Sequence, residues 1–126
     1  MQLPEGYRSN GLVCRLNKCL YGLKQSAREW YAKLTAFLKS IGFKITPFDP
    51  CVFVHKKERI YFSIYVDDIM VYGDETPFAE YLISELKKKF EVTDLGEATW
   101  LLGLLIQYTQ QGITISQSPY IKKVLK

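Results

Sequence analysis

The stretch that most limits how this chain can fold is residues 60–72, Ile-Tyr-Phe-Ser-Ile-Tyr-Val-Asp-Asp-Ile-Met-Val-Tyr, where two adjacent carboxylates interrupt a run of β-branched and aromatic residues. Residues 60–66 read as a strand and 69–72 as its partner, so Asp67 and Asp68 fall at the tip of a tight hairpin. Two like charges held close together on a rigid support can bind a hard divalent cation through oxygen, because Mg²⁺ takes a few carboxylates together with substrate phosphates. Aspartate is also an ordinary turn residue, and on these two residues alone a plain hairpin tip explains the pair equally well.

The rest of the chain must supply the support. Its 126 residues, 48% hydrophobic and 14% aromatic, suffice for one domain with a core. A net charge of +4 permits an anionic partner without demanding one. Cys14, Cys19 and Cys51 are odd in number and lack paired C-x-x-C spacing, which points to free thiols in a reducing compartment. No cationic leader precedes an apolar core, and no run reaches the roughly 20 apolar residues of a membrane span. The expectation is a soluble intracellular chain without membrane attachment. A single histidine, His55, excludes a His-paired nucleophilic triad and any multi-His metal site; a surface strand end suits it.

Read from the start, residues 1–10 form an irregular lead-in and residues 12–16 a short strand. Ser26 followed by Glu29 predicts a capping box, and Ala27, Trp30, Tyr31, Leu34, Phe37, Leu38 and Ile41 then mark the buried stripe of a helix closed by Gly42. The aromatic residues of that stripe read as core in preference to a base-stacking platform. Residues 51–55 pair with 60–66 across the charged turn Lys56, Lys57, Glu58 and Arg59. Thr76 caps and Pro77 opens a second helix, with Phe78, Leu82, Ile83, Leu86 and Phe90 on its apolar face. Lys87, Lys88 and Lys89 suit the negative end of that helix, although the same lysines can face phosphate. Residues 98–109 and 113–117 read as a last hairpin, and Ser118 and Pro119 begin a further helix. The order predicts an α+β fold: an antiparallel sheet with two helices packed on one face.

Several ordered motifs then carry a resemblance. Leu20-Tyr21-Gly22-Leu23-Lys24-Gln25, Arg28-Glu29-Trp30, Asp49-Pro50-Cys51-Val52-Phe53, Tyr65-Val66-Asp67-Asp68, Asp94-Leu95-Gly96-Glu97, Leu102-Gly103 and Ile115-Ser116-Gln117 together resemble the reverse transcriptase of Ty1/copia-type LTR retrotransposons. The resemblance runs over almost the whole chain in the right order. It implies a polymerase palm, an RNA- or DNA-templated nucleotidyl transfer from dNTP to a primer 3′ end, and two Mg²⁺ ions. It also implies that Asp67 and Asp68 are catalytic metal ligands and that Tyr65 and Val66 lie against the primer end. Gly22, Lys24 and Gln25 match the stretch that approaches the nascent base pair, where a glycine permits close backbone approach; for Lys24 a merely solvated charge is an equal alternative. The implied setting is a Pol polyprotein with integrase and RNase H, cytoplasmic, and within a virus-like particle in the intact element.

The departures from the family are informative. Its third catalytic carboxylate lies on a palm strand upstream of the segment resembling residues 1–7, so the resemblance implies a domain truncated at both ends: a palm core with the start of the thumb, lacking most of the fingers and the first palm strand. Thr93 stands where a lysine is frequent and Ala27 where a proline is frequent. Two readings follow. One is the palm of a retrotransposon polymerase, inactive in isolation and active once its missing parts are supplied. The other is a non-catalytic relic, or a residual nucleic-acid-binding fragment, of a transposable element.

Overall fold

The longest helix, α1 (Lys24–Ser40), sets the frame for the strands that follow it in the structure, a computed structural model that describes residues 6, 7 and 11–125. The strands are β1 (Lys44–Ile45), β2 (Val52–His55), β3 (Ile60–Tyr65) and β4 (Asp68–Tyr72), then β5 (Trp100–Leu101), β6 (Leu104–Thr109) and β7 (Gly112–Ser116). Two further helices are α2 (Pro77–Lys89) and α3 (Ser118–Val124). The chain divides into two compact units, one up to Val71 and one from Tyr72 on.

In the first unit the strands form a four-stranded sheet in the order β1-β2-β3-β4. β2 and β3 are antiparallel with Phe53 opposite Phe62 and His55 opposite Ile60. Along β3, Ile60, Phe62 and Ile64 are buried while Tyr61 and Tyr65 are exposed, the period of two that one covered face imposes. α1 covers that face. Leu34, Phe37 and Leu38 are buried, and the Tyr31 ring lies 6.4 Å from Phe53. Phe53 meets Phe62 edge-on at 6.3 Å, and Phe43 meets Phe62 in the same manner at 6.0 Å, the arrangement that ring quadrupoles favour.

The stripe on α1 is as the sequence predicts from Trp30 to Ile41, but Ala27 is exposed and the expected capping box is absent. The helix begins two residues before Ser26, with Leu23 at its N-cap and no side-chain cap. The Ser26 hydroxyl instead donates back to the Leu20 carbonyl, because the Ser26 N–H is already taken by the Leu23 carbonyl and the first turn closes earlier. The C-terminus follows the expected glycine stop. Gly42, at φ +98°, donates to the Lys39 carbonyl and Phe43 to the Leu38 carbonyl, a Schellman motif whose apolar partners Leu38 and Phe43 are both buried. Residues 12–16 contain an isolated bridge at Val13 rather than a strand, and the lead-in over residues 1–5 and 8–10 lies outside the described residues.

In the second unit Thr76 caps α2 by accepting from the Ala79 N–H at 3.2 Å, and Pro77 opens it, as expected. Residues 98–109 do not form one strand. They divide into β5 and β6 at Leu102 and Gly103, whose φ values of +50° and +82° are both left-handed, as a type I′ two-residue turn requires. The antiparallel meander β5-β6-β7 results, with α3 returning beside β6. The α+β class and antiparallel pairing agree with expectation; the single sheet does not, because this meander satisfies its own hydrogen bonds as a second, three-stranded sheet. Among the described residues there are three helices, none of them long and apolar enough to cross a membrane.

Two consequences for stability can be measured. A Cβ at position 42 would meet His55 Nε2 at 2.6 Å, and that ring is held edge-on against Phe43 at 5.3 Å while its Nδ1 accepts from the Glu58 N–H. With the left-handed backbone added, Gly42→Ala lowers the unfolding free energy by at least about 2 kcal/mol in urea titration. Thr35 Oγ1 is buried on α1 with no hydrogen-bond partner among the described residues, so Thr35→Val raises stability by about 1 kcal/mol in the same assay.

Candidate functional site

The β3–β4 connection has only two residues, Val66 and Asp67, and Asp68 is the first residue of β4. A two-residue hairpin matches strand twist when φ is positive at its first central position, where glycine is preferred. Here the position is occupied by Val66 at φ +54°, and Asp67 is not in the left-handed region, the pattern of a type II′ turn. A β-branched residue in that conformation is a true outlier, with a cost on the order of 1–3 kcal/mol.

Asp67 and Asp68 are both exposed, and among the described residues neither carboxylate is engaged by an ion pair or a hydrogen bond. Tyr65 ends β3 at 60% exposure and Val66 follows at 57%. The hairpin therefore presents two adjacent carboxylates and an aromatic-aliphatic pair at one end of the sheet. Unengaged carboxylate oxygens are the donor type that a hard divalent cation takes. Among the described residues no group of three or more His, Cys, Asp or Glu side chains is placed to hold a metal ion.

Helix α1 reaches this hairpin directly. Trp30 Nε1–H donates to the Val66 carbonyl at 3.1 Å, and the neighbouring Tyr31 hydroxyl donates to the Pro50 carbonyl at 2.7 Å. Pro50 belongs to a turn in which Asp49 Oδ1 accepts from the Cys51 N–H at 2.7 Å and the Thr46 hydroxyl donates to the Asp49 carbonyl at 2.9 Å. Gly22 precedes α1, and Lys24 and Gln25 open it, on the N-terminal side of Trp30. Gly22 takes φ +85°, and a Cβ there would meet nothing within 4 Å, so within this chain its need is conformational. Lys24 and Gln25 are exposed in the first turn of α1, and among the described residues no hydrogen bond or ion pair ties them to the carboxylates. Spacing predicts Trp30 on the buried stripe of the helix; its indole N–H reaching a turn 36 residues away has no local signal in the sequence.

The lysine run at the end of α2 is partly spoken for. Lys87 pairs with Asp94 at 3.0 Å and Lys88 with Glu85 at 2.7 Å. Asp94 also accepts from the Gly96 N–H at 2.9 Å, which makes Asp94-Leu95-Gly96 an aspartate turn tied back to the helix. The Gly96 N–H first, and Lys87 second, hold the Asp94 carboxyl below the usual carboxylate range. A group whose folded-state pKa is depressed contributes stability above its unfolded value and loses it as pH falls through the folded value.

With the fold and the hairpin described, comparison with known proteins identifies the class. A family model for reverse transcriptase (RNA-dependent DNA polymerase) matches residues 1–126, and the chain belongs to that family. Its relatives are of the Ty1/copia kind. It is 40% identical, over all of its length, to the retrovirus-related Pol polyprotein from transposon TNT 1-94 of Nicotiana tabacum, covering 10% of that protein. It is 36% identical, over 99% of its length, to the corresponding polyprotein from transposon RE1 of Arabidopsis thaliana, covering 9% of it. To the truncated transposon Ty1-A Gag-Pol polyprotein of Saccharomyces cerevisiae it is 33% identical over 83% of its length, again covering 9%. The chain thus spans about a tenth of the length of the curated relatives it matches. No solved structure matches it.

The Asp94 arrangement is open to test. The stability difference between wild type and Asp94→Asn is present above about pH 4 and closes as pH falls below it, when the wild-type carboxyl also becomes neutral. Urea unfolding of both chains at a series of pH values between about 2 and 7 measures the gap. It shrinks in high salt, because the Lys87 contribution is exposed and screened.

Proposed function

We propose that this chain is the palm portion of a retrotransposon reverse transcriptase, in which Asp67 and Asp68 serve nucleotidyl transfer to a primer 3′ end. The observation that carries the reading is the β3–β4 hairpin: two adjacent, unengaged carboxylates at an exposed turn, in a chain that belongs to the reverse transcriptase family. Asp67 and Asp68 would hold two Mg²⁺ ions jointly with the triphosphate and with a third carboxylate supplied from beyond these 126 residues. When bound, the ions lower the charge repulsion and stabilise the in-line attack of a 3′ hydroxyl with release of pyrophosphate.

The chain's own residues contribute placement. Tyr65 and Val66 flank the carboxylates with apolar surface that can abut the primer end, and Gly22, Lys24 and Gln25 offer a backbone turn, a cation and an amide to the nascent pair. Template, primer and dNTP are the partners, in the company of the integrase and RNase H segments of a Pol polyprotein in the cytoplasm. With two carboxylates assembled, the isolated chain is inert. A longer polypeptide carrying the upstream segment is active.

Primer extension on an RNA template with Mg²⁺ tests this directly, using the 126-residue chain, the longer polypeptide and Asp67→Asn in each. The expected result is silence from the short chain and extension from the long one that Asp67→Asn reduces by at least about a hundredfold, the scale of losing a group that acts on the transition state. Asp67-dependent extension by the short chain would show that a residue within it completes the site. Silence from both would favour a non-catalytic relic.

A further inference from the structure

Among the described residues, the strained turn that carries Asp67 receives one side-chain hydrogen bond from another element. In a two-residue hairpin the peptide between the central residues can flip, which interconverts turn types and reverses the sign of φ at the second central residue. Here that peptide joins Val66 to Asp67, so its orientation decides which way the Asp67 backbone, and with it the carboxylate, leaves the turn. Val66 at φ +54° has no glycine-like freedom to make this conformation the easy one. The Trp30 indole N–H donates to the carbonyl of that same peptide at 3.1 Å. Trp30 in turn is fixed by its position in α1, whose next residue, Tyr31, is bonded to the Pro50 carbonyl and packed against Phe53.

We infer that Trp30 is the positioning residue of this hairpin: its Nε1–H locks the Val66–Asp67 peptide in one of two flip states and so aims Asp67. The flip lock stands on geometry alone, whereas its consequence for nucleotidyl transfer rests on the polymerase reading above. A tryptophan kept only for its bulk would be replaced by phenylalanine without effect on the turn. A tryptophan acting through its N–H would not.

Amide hydrogen exchange on the 126-residue chain separates the two. In Trp30→Phe the amide of Asp68, the donor position that closes a two-residue turn, exchanges about fivefold faster or more, the scale of one hydrogen bond, while the Phe53 and Phe62 amides in the β2–β3 pair keep their wild-type rates. An unchanged Asp68 amide, or equal acceleration throughout the sheet, would overturn the inference. A second variant tests the mechanism: in Val66→Gly the turn conformation no longer depends on outside support, so adding Trp30→Phe accelerates the Asp68 amide less than it does in wild type. Equal acceleration in both backgrounds would count against the lock.

In the longer polypeptide, Trp30→Phe lowers kcat for primer extension about fivefold with the dNTP KM little changed, and an unaltered kcat would remove its positioning role. Extension that does not depend on Asp67 would sink the polymerase reading instead, and the exchange rates would still decide the lock.

Discussion

The first unit depends on the register of one strand pair. Phe53 stands opposite Phe62 under α1, and both are fully buried. Because strand side chains alternate with a period of two, a slip of one residue would bring Tyr61 inward and carry Phe62 out to solvent. The aromatic core therefore does more than stabilise the sheet; it decides which face of β3 turns inward. Phe43, delivered to this cluster by the Schellman stop at Gly42, couples the end of the helix to the same register.

Within each unit, several of the family-like motifs form turns. Asp49, Pro50 and Cys51 form a turn that α1 grips through Tyr31. Asp94, Leu95 and Gly96 form a turn that α2 grips through Lys87. Leu102 and Gly103 form the left-handed pair that makes a third strand possible in the second unit. Unlike the Asp49 and Asp94 turns, the β3–β4 hairpin leaves its two carboxylates without an ion pair or hydrogen bond among the described residues.

Period and turn chemistry made much of this readable in advance. The buried stripe of α1 from Leu34 to Leu38, the alternation along β3, the Thr76 cap with Pro77 behind it and the glycine stop at position 42 each follow from local sequence. Ser26 misled because a serine and a glutamate three residues apart satisfy the capping pattern wherever they occur; the helix was already closed from Leu23. Residues 100–106 misled because an almost unbroken apolar run has no period, and Gly103 is a weak mark beside a leucine that must adopt positive φ.

The amino-acid sequence by itself placed the two carboxylates where paired strands meet; in the structure Asp67 lies in the turn and Asp68 opens β4 at an exposed position. Family membership, too, lay in the order of its motifs. What only the tertiary structure decided was the state of that turn. Valine does not favour left-handed backbone, yet Val66 adopts φ +54°. The Trp30 N–H that bonds its carbonyl is 36 residues away in sequence and adjacent only once α1 has settled on the sheet.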